Sequence, residues 1–205
     1  LMMSALASKR LYNLPKGTKV ITPAAGFPTT LNPIIQNGFE PVFVDVELDT
    51  LNLKTDEIED AAKSGAKVIT FAHVLGNPPN MKEVMEVVRK YEGEPLGSFG
   101  EMASCSFYPA HHITMGEGGF VACNNKQQET VARSLREWGR GCFCVGKKAN
   151  LLKNGTCGKR FCNWLPEMPE EIFDHKYIYE EIGYNLKPIE LQASMGLVQL
   201  NKLGQ

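Results

Sequence analysis

The chain is predicted to fold as an α/β structure, with a mostly parallel sheet flanked by helices. Three observations predict this. Short apolar strand segments alternate with amphipathic helical segments through the first ninety residues. The connections between them are short, which favours right-handed crossovers joining parallel strands. At 205 residues the chain is long enough to bury a substantial core within one domain.

The elements follow in order. Residues 1–13 set apolar side chains at helical spacing and stop before Pro15. Lys19 to Pro23 reads as a short buried strand. A loop and helix follow over 24–37, with Pro28 suited to a first turn and Gly38 closing it. Glu40 to Val46 is the next strand. Thr55 to Ser64 opens with a Thr cap and acidic residues in its first turn, as a helix N-terminus should. Lys67 to Ala72 is a third strand, and Met81 to Lys90 a third helix.

After Lys90 the rhythm fails. Another strand is due, and Tyr91-Glu92-Gly93-Glu94-Pro95-Leu96-Gly97 supplies turn residues instead. The sequence is expected to pass over roughly 15–20 residues between Lys90 and Gly93, enough for one strand and its loop. Further on, Lys126 to Gly139 reads as an amphipathic helix, and Ile189 to Leu203 as another that begins at Pro188. Both ends look cut, since Leu1 opens inside a helical pattern and Gln205 ends one.

Composition narrows the function classes. A net charge of −1 leaves no basic excess for nucleic acid. No run of about 18 apolar residues is present for a membrane span. No secretory signal is visible, so the cytoplasm is the expected compartment. In that setting the six cysteines read as thiols or metal ligands rather than disulfides. Cys105 and Cys123 sit in strand patterns and read as core.

The stretch that carries chemistry is Ser106-Phe107-Tyr108-Pro109-Ala110-His111-His112-Ile113-Thr114-Met115-Gly116-Glu117-Gly118-Gly119. It reads as a strand entering a tight Gly-rich loop and leaving as a second strand, Phe120 to Cys123. It brings a hydroxyl and two imidazoles beside backbone that a ligand can approach closely. Taken alone, Ser106 reads equally as a strand residue bonding local backbone, and Phe27 as core. Asn185 then reads as a turn residue tolerant of left-handed backbone.

With those residues in place, the stretch resembles the sugar aminotransferases of the DegT/DnrJ/EryC1/StrS family, pyridoxal-phosphate enzymes of fold-type I. The family pattern is Ser-Phe-x-x-x-Lys before a Gly-Glu-Gly-Gly loop, and the Lys holds the cofactor. Here His111, five residues after Ser106, stands in place of that Lys. The same register disfavours His112. His at that position marks the sugar 3-dehydratases. The resemblance implies that Ser106 binds the cofactor phosphate and that Phe27 stacks on the pyridine ring. It implies that Asn185 reaches the phosphate of a neighbouring subunit in a homodimer. The residues 1–205 would then be part of a large cofactor-binding domain, without the small C-terminal domain. The strand due after Lys90 would carry the Asp for the pyridine nitrogen.

Cys142-x-Cys144, with Cys157 and Cys162 beyond, forms a Cys-rich loop over 141–162. Such thiols fit a surface loop, a zinc site or an iron–sulfur cluster. The resemblance implies a 2Fe–2S cluster on Cys142, Cys144 and Cys157, with its first ligand in the stretch passed over. The segment before Cys157 is longer than the family pattern, which leaves Cys162 as a substitute. The implied reaction uses pyridoxamine or pyridoxal 5′-phosphate to remove the C3 hydroxyl of a CDP-linked 4-keto-6-deoxy sugar. Electrons would come from a separate NADH-dependent flavin/iron–sulfur reductase. The alternatives are a cluster-free His-type dehydratase, an aminotransferase relative, and a non-catalytic cofactor- or zinc-binding relative.

Overall fold

The computed structural model describes residues 1–92, 100–142, 152–154, 156–162 and 165–203, the side chains of 88–92 excepted. The chain divides into two compact units, Met2–Ala103 and Ser104–Gln205.

The first unit carries α1 (Met2–Ala7), β1 (Lys19–Pro23), α2 (Pro28–Gln36), β2 (Glu40–Val44), α3 (Thr55–Lys63), β3 (Val68–Ile69) and α4 (Met81–Glu92). Its sheet runs β2-β1-β3 and is parallel throughout. Lys19 lies opposite Glu40 and Pro23 opposite Val44, while Val20 pairs with Val68.

Successive strand residues point to opposite faces. Val20 packs with Met3 and Leu6 of α1, Ile34 of α2, and Phe39. Ile21 packs with Val44, Leu53, Ile58 of α3 and Val84 of α4. The sheet is thus covered on both sides, α1 and α2 on one face, α3 and α4 on the other. This is why β1 reads as an unbroken apolar run rather than an alternating one.

Several boundaries differ from the sequence reading: β3 spans only Val68–Ile69 of the expected Lys67–Ala72, and α4 runs on to Glu92. α1 ends at Ala7, because the Ser8 carbonyl accepts the N–H groups of Leu11 and Asn13 in consecutive turns. Asn13 adopts a φ of 52°, which no helix continues. Thr55 is not the cap of α3. Lys54 occupies that position, and the Thr55 hydroxyl instead donates to Glu83 of α4, tying the two helices together. β2 stops at Val44, and Val46 forms an antiparallel bridge with Leu53.

β4 (Met102–Ser106) leads into the second unit and neighbours β5 (Gly119–Cys123). α5 (Lys126–Arg136), a 3-10 turn over His175–Tyr177 and α6 (Glu190–Leu200) follow. α5 starts at a reciprocal cap: Asn125 Oδ1 accepts the Gln128 N–H at 2.9 Å, and Gln128 Oε1 accepts the Asn125 N–H at 3.3 Å. It ends at Arg136 rather than Gly139, because Trp138 and Gly139 take φ values of 61° and 81°. Cys105 is exposed and Cys123 only half-buried, so Cys105 is not core. Strand periodicity assigns a side chain to a face but does not say what covers that face. Among the described residues, Cys105, Cys123, Cys142, Cys157 and Cys162 form no disulfide.

Ile21→Ala is expected to lower the unfolding free energy by about 2–5 kcal/mol, because it opens a cavity against α3 and α4. Urea denaturation of the full-length protein reads this directly. A second expectation concerns acid. Hydrogen bonds from Lys126 and Arg133 hold the Glu129 carboxyl at about 2, against an ordinary value of 4.5. A depressed carboxylate stabilises the fold above its unfolded value and loses that contribution as pH falls through its folded value. Wild type should therefore lose more stability between pH 4.5 and 2 than Glu129→Gln does.

Candidate active site

Ser106 ends β4, and the chain then folds back on itself. The Phe107 N–H donates to the Gly118 carbonyl at 2.8 Å, and the Met115 N–H to the Phe107 carbonyl at 3.1 Å. These two bonds close the base of the loop. The rings of Phe107 and Phe120 meet at 5.8 Å across it. Inside, the His111 N–H donates to the Tyr108 carbonyl at 2.9 Å, making a turn that leaves the His111 side chain exposed. Its ring meets the edge of Tyr108 at 6.3 Å. His112 is exposed as well.

The glycines of this loop have steric reasons. A Cβ on Gly119 would strike the Cys105 carbonyl oxygen, and one on Gly118 would strike the Met115 side chain. Met115 is buried, and it also lies against Gly196 of α6. Only a residue without a side chain lets β5 leave this close to β4.

Ser106 is exposed, and its Oγ accepts the Tyr108 N–H at 3.2 Å. Accepting that bond leaves the hydroxyl proton able to donate to another acceptor. Ser106 and His111 share one loop. Phe27 belongs to the other unit, where it follows the carboxyl end of β1 and occupies the N-cap of α2. Its ring is 74% exposed, so it is not the core residue its bare sequence suggests. Ligands of parallel sheets bind beyond the carboxyl ends of the strands. Phe27 stands beyond such an end, that of β1.

Asn185 is held by a two-segment ladder. Residues 178–186 run against the end of α5, with bridges Glu137–Asn185 and Arg140–Tyr179. The Tyr184 N–H donates to the Leu135 carbonyl at 2.6 Å, the Trp138 N–H to the Tyr184 carbonyl at 2.9 Å, and the Leu186 N–H to the Arg136 carbonyl at 3.2 Å. A Cβ on Gly183 would strike the Gly139 nitrogen and the Leu135 carbonyl oxygen. Asn185 itself is exposed. Beside it, Lys187 Nζ sits 4.1 Å from the Trp138 ring centre and 2.7 Å from Glu137 Oε2. The Arg140 guanidinium lies 4.9 Å from the same ring. The sequence offered no spacing that would bring Trp138, Arg140 and Lys187 together.

The cysteines are only partly described. Cys142 and Cys157 are half-buried and Cys162 is exposed, while Cys144 lies outside the described residues. Among the described residues no group of three or more His, Cys, Asp or Glu is placed to hold a metal ion. That leaves the donor chemistry as the test of fit. Cys157 Sγ accepts the Lys159 N–H at 3.4 Å, the kind of bond a ligand sulfur takes. The described thiols therefore supply no complete ligand set for a metal centre.

A 460 Å³ cavity in the first unit, between α3 and α4, is lined by Asp56, Glu59, Glu83 and Glu86 with Thr55 and Val87. Its carboxylates would repel a phosphorylated ligand, and none of the predicted site residues lines it. No described helix is long and apolar enough to cross a membrane.

A parallel sheet covered by helices on both faces is the architecture of the fold-type I, aminotransferase-like proteins. The DegT/DnrJ/EryC1/StrS aminotransferase family model matches residues 1–92 and 87–205, and the chain belongs to that family. The two matched stretches overlap at residues 87–92, the end of α4. The chain is 44% identical to the lipopolysaccharide biosynthesis protein RfbH of Salmonella typhimurium, across 99% of this chain and 49% of that one. That alignment runs over 221 positions, more than the 205 residues present here. It is 42% identical to a dTDP-4-dehydro-2,6-dideoxy-D-glucose 3-dehydratase of Saccharopolyspora spinosa, across 99% of this chain and 46% of that one. Its fold matches E. coli GDP-4-keto-6-deoxy-D-mannose-3-dehydratase with bound hydrated PLP, at a TM-score of 0.76 and 25% identity, across 99% of this chain and 53% of that one. The chain spans about half the length of the relatives it matches.

Gly183→Ala should push the 178–186 segment off α5 and cost about 1–3 kcal/mol. Chemical denaturation of the full-length protein tests it, and an unchanged midpoint would remove the close-approach argument.

Proposed function

We propose that the full-length protein is a nucleotide-sugar 3-dehydratase that acts as a homodimer in the cytoplasm. Residues 1–205 are read as part of its large, cofactor-binding domain. The observation that carries this reading is His111, exposed in the loop beyond Ser106 where the family's aminotransferases carry Lys. An imidazole cannot hold the cofactor covalently, but it is a base suited to neutral pH. The names of the Saccharopolyspora and E. coli relatives support the same reaction class.

When bound, pyridoxamine 5′-phosphate supplies an electron sink and an amine for the substrate's ketone. The chain's residues do the rest. Ser106 donates its free hydroxyl proton to the phosphate, and Asn185 does so with its amide in the partner's site. Phe27, with its ring face open, covers the pyridine. His111 removes the proton at the cofactor's C4′ carbon while the C3 hydroxyl of the sugar departs. A CDP-linked 4-keto-6-deoxy sugar is the proposed substrate.

Cys142, Cys144 and Cys157 would hold a 2Fe–2S cluster. The cluster would supply single electrons delivered by an NADH-dependent flavin/iron–sulfur reductase.

Replacing His111 by Asn should abolish solvent exchange of the C4′ hydrogen of added pyridoxamine phosphate while binding persists. Exchange at the wild-type rate in His111→Asn would sink the assignment.

A further inference from the structure

We propose that Arg140, with Lys187 and the rings of Trp138 and Tyr179, binds the diphosphate group of the nucleotide-linked substrate. The inference rests on the dehydratase reading above and gives that reading's substrate a site on this chain.

The Arg140 guanidinium is held in place and lacks a counter-ion. Its backbone is fixed on both sides. The Arg140 N–H donates to the Glu137 carbonyl at 3.2 Å, and the Arg140 carbonyl accepts the buried Ser134 hydroxyl at 2.6 Å. Arg140 Cζ lies 4.9 Å from the Trp138 ring centre and 5.8 Å from that of Tyr179. Arg140 Nε is buried and has no hydrogen-bond partner among the described residues. Nor is any ion pair of Arg140 present among them. The neighbouring carboxylate, Glu137, is taken by Arg136 at 3.2 Å and by Lys187 at 2.7 Å. A guanidinium shut off from water along one edge and left unpaired gains more from an arriving anion than a solvated one does. Its planar fork matches phosphate oxygens.

Lys187 adds to the same field. Its Nζ lies 4.1 Å from the Trp138 ring centre, so two cations meet one ring. Arg136, Arg140 and Lys187 thus stand around a single carboxylate, and a diphosphate brings the charge that balances them.

Trp138 supplies an independent observation. Its φ of 61° is left-handed backbone, which a bulky side chain adopts only at a cost. The ring is nevertheless 38% exposed, and that of Tyr179 is 50% exposed. Core packing does not account for a strained residue whose ring remains open. What the strain achieves is to set the ring against both cations, with area left over on which a nucleobase stacks. The Trp138 N–H donates to the Tyr184 carbonyl at 2.9 Å, and Glu137 bridges Asn185. The cluster therefore adjoins the residue already proposed to face a phosphate.

The test uses the full-length protein as wild type, Arg140→Gln, Arg140→Lys and Trp138→Gly. Calorimetric titrations are run with CDP, UDP, dTDP and GDP, with the matching nucleosides, and with pyridoxamine 5′-phosphate. Melting temperature is read for every variant, and C4′ hydrogen exchange for wild type. Arg140→Gln is expected to weaken the tightest nucleoside diphosphate about 10- to 100-fold. Its affinities for the matching nucleoside and for pyridoxamine phosphate should stay at wild type, as should its melting temperature. Arg140→Lys, which keeps the charge and loses the fork, should fall between. Trp138→Gly, whose residue type suits left-handed backbone, should weaken nucleoside and diphosphate alike. Wild-type diphosphate affinity in Arg140→Gln would overturn the site, as would a wild type that binds no nucleoside diphosphate. A matched loss of pyridoxamine phosphate affinity would overturn it too, giving Arg140 to the cofactor's phosphate. So would a matched fall in melting temperature, which makes Arg140 a structural tie. Wild type without C4′ exchange would sink the dehydratase reading alone, and the diphosphate site would still stand or fall by Arg140→Gln.

Discussion

The first unit depends on one strand being buried on both faces. Val20 and Ile21 are adjacent, fully buried, and aimed at opposite layers. Neither layer can be removed without exposing half of β1, so helices must form on both sides and β1 must be central. Centrality then decides where chemistry can occur. A strand flanked by β2 and β3 has no free edge, and only its carboxyl end remains open. Phe27 follows that end by four residues, at the point where the backbone turns to start α2. The core and the position of Phe27 are consequences of the same pair of side chains.

The second unit is organised differently. Its contacts near the site are backbone against backbone, made possible by absent side chains. Gly119 lets β5 pass the Cys105 carbonyl, and Gly183 lets the 178–186 segment lie on the end of α5. Apolar packing tolerates sliding of a few tenths of an ångström, whereas hydrogen bonds between close backbones do not. Ser106, His111 and Asn185 hang from these close approaches, so their positions are set by main-chain geometry. This suits the proposed roles of these groups, which are to meet a phosphate and a single carbon atom.

How much of this was legible follows the same division. Elements with a periodic apolar face were found nearly to the residue: β1 and α2 match, and α3 and α5 begin where expected. Their errors fall at ends, where a local choice outweighs periodicity. α1 yields to the Ser8 carbonyl, and α5 yields to left-handed backbone at Trp138 and Gly139. His111, Ser106, Asn185 and Phe27 are proposed from the family register, and the exposure of Phe27 departs from the core position its own type suggests. The ion pair between Arg160 and Asp174 was not legible. Fourteen residues separate the two, with no periodic element between them to fix a distance.

The two halves of the proposed chemistry are unequal in this sequence. The half that grips phosphate, covers the ring and moves a proton is represented by Ser106, Asn185, Phe27 and His111, each exposed to a ligand. The half that handles electrons leans on the stretch between α4 and β4. The family resemblance puts there both the carboxylate facing the pyridine nitrogen and the first cluster thiol. The family match divides at that stretch, and the Salmonella alignment needs more positions than the chain supplies. A central strand cannot simply be deleted from a sheet covered on both faces, because its neighbours would lose a row of hydrogen bonds and part of their cover. The physical reading is that the full-length protein carries this strand. In the proposed chemistry, proton transfer draws on residues of the strand-end loop, and electron transfer draws on that strand as well.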